Sequence, residues 1–187
     1  MTEFKEELKQ RLKYWDGHSD TLGLFADSGF LRRSGAALAA PFGDVSVDKV
    51  AGIEARGFVL ATAVALELGA GFVAVRKPGA IHPGPKAELQ GSPDWRGNTT
   101  LLRLQRHVIE PGERVLIVDD WAETGSKAGT TRRLVEACGG RYVGLSLLVD
   151  QLPDRVRENL EPVVCIALAT EVGSYDGDGA APGRHPQ

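Results

Sequence analysis

Apolar positions in this chain follow two rhythms, and they alternate along its length. Val115 to Val118 is an unbroken, mostly β-branched apolar run. That is the pattern of a strand buried on both faces, as in a parallel sheet. Leu134, Val135 and Cys138 follow at helical spacing, so a helix is expected after it. Tyr142 to Val149 and Val163 to Leu168 repeat the strand pattern, with a short helix expected over Asp154 to Leu160.

The first half alternates in the same way. Phe4, Leu8, Leu12 and Trp15 share one face of a helix predicted over residues 3–15. Arg32 to Ala40 reads as a second short helix, stopped by Pro41. Val45 to Ile53 reads as a strand interrupted by Asp48 and Lys49. Phe58 to Leu68 is an apolar, alanine-rich helix ended by Gly69, and Phe72 to Val75 is the next strand. Residues 80–100 show no periodicity and carry Pro83, Gly84, Pro85, Gly91, Pro93 and Gly97. A loop this long in a compact domain is usually functional. Leu101 to Gln105 reads as a returning strand. From 173 to 187 the chain is rich in Gly, Pro and Asp, and disorder is expected. Strands alternating with helices predict one α/β domain, a parallel sheet flanked by helices.

Composition narrows the function. The length of 187 residues favours a single domain. A net charge of −3 argues against a nucleic-acid binder, which usually shows a basic face. No apolar run is long enough to span a membrane and no signal peptide is visible, so a soluble cytoplasmic protein is expected. Cys138 and Cys165 lie in apolar patterns and read as buried thiols, with no disulfide framework.

The chemistry is concentrated where the 115–118 strand ends. Asp119 and Asp120 come first, and Thr124, Gly125, Ser126 and Lys127 open the helix. In open α/β sheets, ligands bind at the carboxyl ends of strands. Amide groups at a helix start attract an anion. Gly125 admits a close approach, Thr124 and Ser126 offer hydroxyls, and Lys127 adds charge. Ionised carboxylates are acceptors only, so Asp119 and Asp120 suit two neighbouring hydroxyls or a hydrated cation. A phosphate socket beside a diol-binding pair points to a ribose 5-phosphate.

Val118-Asp119-Asp120 followed by Glu123-Thr124-Gly125 resembles the phosphoribosyl diphosphate (PRPP) motif of the type I phosphoribosyltransferases. Val50 to Phe58, with Gly71 to Gly79, resembles the adenine phosphoribosyltransferases in particular. The resemblance covers roughly residues 45–150. It implies a hood within residues 1–44, a PRPP-binding core over 45–172, and a flexible lid at 80–100. It implies that Glu54, Ala55, Arg56 and Gly57 form a pyrophosphate loop, often with a cis peptide, and that Arg76 and Lys77 join it. Fixed cations there would stabilise the leaving charge. It further implies PRPP and a nucleobase as substrates, adenine first and a 6-oxopurine second. Mg²⁺ near Asp119 and Asp120, catalytic roles for Asp120 and Arg56, and a homodimer with the Arg76 region near its interface complete the expectation.

The chain departs from that family in places. The lid run Asp94-Trp-Arg-Gly-Asn98 lacks the family's Leu-Glu-Tyr-Gly, and with it the acid proposed to assist the base. The socket reads Thr124-Gly-Ser-Lys127 instead of Thr-Gly-Gly-Thr. Glu123 stands where the hypoxanthine–guanine enzymes carry an aspartate; it is either a general base or a helix-capping or cation-meeting acid. Trp121 replaces an aliphatic residue and either stacks on the base or fills the core. Phe30 is a candidate for the hood over the base. A PRPP-binding sensor without catalysis, or a transferase for an acceptor outside salvage, remains the alternative.

Overall fold

The computed structural model describes residues 2–79, 81–93 and 98–173. The expectations for the lid run at 94–97 and for the tail from 174 onward lie outside the described residues.

Five strands form one parallel sheet: β3 (Lys49–Ile53), β4 (Gly71–Val75), β7 (Arg114–Ala122), β8 (Arg141–Asp150) and β9 (Val163–Leu168). Their order is β4-β3-β7-β8-β9, which puts β7 at the centre. Burial explains the unbroken apolar run. Val115, Leu116, Ile117 and Val118 are all fully buried, because successive side chains point to opposite faces and both faces are covered. On one face Leu116 and Val118 pack with Leu60 and Val64 of α4 (Arg56–Leu68) and with Phe30 and Leu38 of α3 (Ser28–Ala39). On the other, Val115 and Ile117 pack with Leu134 and Val135 of α5 (Ser126–Ala137). α6 (Asp154–Asn159) bridges β8 to β9.

The N-terminal third is more finely divided than the pattern predicts. α1 spans Thr2–Arg11 and stops short of residue 15. Phe4, Leu8 and Leu12 are buried, but Trp15 is half exposed and belongs to a hairpin. That hairpin pairs β1 (Tyr14–Trp15) with β2 (His18–Ser19), turning at Asp16 and Gly17 with φ of 49° and 78°. Two left-handed residues make the tight turn that suits paired strands. A short α2 follows (Thr21–Phe25). α3 begins at Ser28, four residues before the predicted Arg32, because the Asp27 carboxylate accepts from the Gly29 and Phe30 amides and caps it.

The stretch at 80–100 also contains structure. Lys86–Gln90 is strand β5, paired antiparallel with β6 (Leu101–Gln105). Ala87, Leu102 and Leu104 bury one face of this ribbon, at strand period, under α5. Arg76, just past β4, exchanges backbone hydrogen bonds with Arg103 of β6. Among the described residues the stretch without strand between β5 and β6 is therefore 91–93 and 98–100. Cys138 and Cys165 are free thiols and only partly buried. Among the described residues no helix is long and apolar enough to cross a membrane.

Candidate active site

A cleft of about 530 Å³ opens at the carboxyl end of β7. Its floor and one side are Asp119 and the run Trp121 to Ala128; Arg56 and Thr100 enter from neighbouring loops. Tyr14, Asp16, Gly17, His18 and Ser19 form the opposite wall. The sequence brings these parts together simply. The central strand β7 ends at Ala122, and the α5 start is tethered to it by three residues.

Gly125 has φ +68° and precedes α5 without a side-chain cap. Thr124 Oγ1 accepts from the Ser126 amide at 3.3 Å. The Ser126 hydroxyl donates to the Ser92 carbonyl at 2.5 Å, tying the chain just past β5 to the socket. Lys127 lines the same cleft. The predicted socket residues 124–127 thus sit together at a helix start, with amides that lack intrahelical partners.

The acid pair divides. Asp119 lines the cleft, and its Oδ1 accepts from the Asp120 amide at 3.0 Å. Burial pushes its carboxyl well above the usual carboxylate range, and the charge on Asp120 adds to the rise. Asp120 points the other way, as alternate strand residues do. Its Oδ2 accepts from the Thr21 hydroxyl at 2.7 Å and lies 2.9 Å from Arg56 Nε. Arg56 Nη1 also donates to the Ser19 carbonyl at 3.0 Å.

The second basic group is assembled too. Glu54 Oε2 lies 3.2 Å from Arg76 Nε and accepts from the Lys77 amide at 3.2 Å. Burial opposes the charge on Glu54, but Arg76 and Lys77 outweigh it and hold the carboxyl below its usual range. The Glu54–Ala55 peptide is cis. Gly57 lies in the first turn of α4 against Asp119, where a β-carbon would stand 2.7 Å from Asp119 Oδ1.

Trp121 lines the cleft and donates its indole N–H to Gln151 Oε1 at 2.8 Å, while its ring also packs on the core edge. Glu123 lines the cleft as well. Phe30 lies elsewhere. It is wholly buried, 5.1 Å from the Phe4 ring, on a helix whose buried stripe faces the sheet. The wall it was expected to supply comes instead from 14–19. The Asp16-Gly17 pair, a hairpin signal, was the available clue.

Residues 32–174 match the model of the phosphoribosyl transferase domain. The chain belongs to the phosphoribosyltransferase family. It is 41% identical over 159 residues to an adenine phosphoribosyltransferase of Dinoroseobacter shibae, covering 85% of this chain and 86% of that one. It is 42% identical over 140 residues to that of Thermobifida fusca, covering 75% and 78%. Among solved structures it superposes on adenine phosphoribosyltransferase from Rhodothermus marinus with a TM-score of 0.80 at 33% identity, over 90% of this chain and 99% of that one. The Saccharomyces cerevisiae enzyme, solved with an imino-altritol bisphosphate and adenine, gives 0.77 at 29% identity, over 89% and 99%.

Proposed function

We propose that the chain transfers the 5-phosphoribosyl group from PRPP to adenine and releases pyrophosphate, in purine salvage. The observation that carries this is the single cleft joining Asp119, the 124–127 socket and Arg56, in a chain so similar to adenine phosphoribosyltransferases. The 5-phosphate sits on the Thr124 to Lys127 amides and hydroxyls, with Lys127 as counter-charge. Asp119 accepts from the ribose diol. Arg56, Arg76 and Lys77 meet the pyrophosphate, with Glu54, Ala55 and Gly57 shaping the loop. As the bond from C1′ to pyrophosphate breaks, the electron pair leaves with the pyrophosphate. A base nitrogen bonds to C1′ and gives up its proton. Glu123, lining the cleft, is the residue that takes it. Trp121 and the 14–19 wall enclose the base and exclude water from the sugar cation.

The donor set fits Mg²⁺ carried in by PRPP. It is all oxygen, with Asp119 free to the cleft, and Mg²⁺ keeps several waters while binding one or two carboxylates and substrate phosphates. Asp119 would hold it through water or ribose; Asp120 is engaged with Arg56 and Thr21. Bound there, the ion would supply neutralisation of pyrophosphate charge. Among the described residues no cluster of three or more His, Cys, Asp or Glu side chains offers a dedicated metal site.

On this reading residues 1–44 form the hood side, residues 45–172 the PRPP core, and the protein works in the cytoplasm. A homodimer is part of it. Leu66 is 79% exposed, Phe72 is 39% exposed on the outer strand β4, and the Phe72 ring stands edge-on to Phe58 at 5.5 Å. A second copy covering this face would dry it. Competition among adenine, hypoxanthine and guanine, with the nucleotide identified by mass spectrometry, tests the acceptor. AMP is expected. IMP or GMP would transfer the assignment to a 6-oxopurine, the reading that Glu123 favours.

A further inference from the structure

The hood wall and the pyrophosphate loop meet at one oxygen atom. Asp120 Oδ2 accepts from the Thr21 hydroxyl at 2.7 Å and lies 2.9 Å from Arg56 Nε. Thr21 is fully buried and Asp120 is 3% exposed. Arg56 Nη1 closes the circuit by donating to the carbonyl of Ser19, two residues before Thr21. Arg56 itself opens α4 directly after the loop at 54–55, and it lines the cleft.

A guanidinium has five N–H donors in a rigid plane. Here the Asp120 carboxylate sits 2.9 Å from Nε and the Ser19 carbonyl accepts from Nη1, so the plane is held at two different edges. Arg56 so held also lines the cleft. A buried carboxylate holding a cation needs its other lone pairs satisfied, and Thr21 supplies that donor from the acceptor side.

We propose that Thr21 is a positioning residue: through Asp120 it fixes the plane of Arg56 and couples the hood wall at 14–25 to the loop that holds the leaving group. The inference rests on the phosphoribosyl-transfer reading for what Arg56 meets. It adds that ordering one end of the cleft orders the other. Arg56 keeps its hood contacts when pyrophosphate binds, and the segment from Ser19 to Phe25 tightens with it.

Calorimetric titration of wild type, Thr21→Val and Thr21→Ser with Mg-PRPP tests this. Valine keeps the shape and deletes the hydroxyl; serine restores it. The expected result is affinity at least about tenfold weaker for valine, the loss of about one hydrogen bond to a charged group, with serine within about twofold of wild type. Valine binding like wild type, whatever its melting temperature, overturns the proposal, and so does equal weakening in both variants. A wild type that does not bind Mg-PRPP overturns the transfer reading and this proposal together, which separates the two failures. Should the valine variant fail to fold, hydrogen exchange on wild type decides. Added Mg-pyrophosphate slows amide exchange over residues 19–25 if the circuit holds. Unchanged or faster exchange there contradicts it.

Discussion

Gly57 and Asp119 are packed so closely that a β-carbon on the glycine would stand 2.7 Å from Asp119 Oδ1 and 3.3 Å from the Val118 carbonyl. The first turn of α4 therefore rests directly on β7, and the 54–57 loop and Asp119, proposed to hold the pyrophosphate and the ribose, share one wall. Gly57→Ala forces one of them to move, since a methyl at that distance is far inside van der Waals contact. We expect at least tenfold weaker Mg-PRPP binding by calorimetry. Unchanged affinity would mean that Asp119 is not held where PRPP needs it.

Asp119 yields a prediction in which stability and function part. Its carboxyl is raised in the folded protein, first by burial and then by the charge of Asp120. A group raised on folding contributes its full stability below the ordinary value, here 3.8, and loses it as pH rises through the folded value. At neutral pH the ligand-free protein therefore bears the cost of holding this carboxyl in its buried site. Asp119→Asn removes that cost and keeps the oxygen that accepts from the Asp120 amide. The variant should melt a few degrees higher at pH 7, about 2–4 °C for each kcal/mol in a domain this size. The gap should close as pH falls toward 4, while PRPP binding is lost throughout. A variant that melts below wild type at pH 7 would contradict this account.

Much of this was legible in the chain. Val115 to Val118 announced a doubly buried strand because no polar residue interrupts it; the strand in fact runs on through Asp119 and Asp120 to Ala122, since pairing with β8 continues past the apolar run. Gly69 marked the end of α4, and it caps it at φ 65°. The hood was hidden for a physical reason. Its strands are two residues long, too short for alternation to register, and only Asp16-Gly17 signals the turn. Phe30 was misplaced because an aromatic residue near a site looks the same in sequence as one in the core; its burial depends on α1, which packs from outside the motif region. β5 was missed because prolines and glycines surround five residues that pair only with β6. The different duties of Asp119 and Asp120 follow from strand alternation, but the partners of Asp120 come from residues 99 and 64 positions away.

Ser126 is the hydroxyl shared between two demands. It donates to the Ser92 carbonyl, and it also lines the cleft where the 5-phosphate is proposed to sit. Ser126→Ala removes a donor worth about 1 kcal/mol, roughly fivefold in an equilibrium. We expect the PRPP KM to rise about fivefold and proteolysis between 91 and 100 to quicken in the ligand-free protein. A change in neither quantity would show that the ribbon contact is incidental.

Trp121 is oriented by Gln151, whose backbone amide donates to the Ala122 carbonyl at 2.9 Å while its side chain holds the indole. The Gln151→Ala variant frees the ring without touching the socket. The KM for the acceptor base should rise about three- to fivefold, with Mg-PRPP affinity unchanged by calorimetry. Loss of PRPP affinity instead would place Trp121 in the fold's support, away from the base.

The central claim is transfer to a purine at this cleft. Pyrophosphate release from PRPP and Mg²⁺, measured without base and then with adenine, hypoxanthine, guanine, xanthine, uracil or orotate in turn, addresses it most directly. The account predicts release that depends on base and is fastest with adenine. Silence with every base, while PRPP still binds, would contradict it and leave a PRPP-binding regulator or an acceptor of another kind.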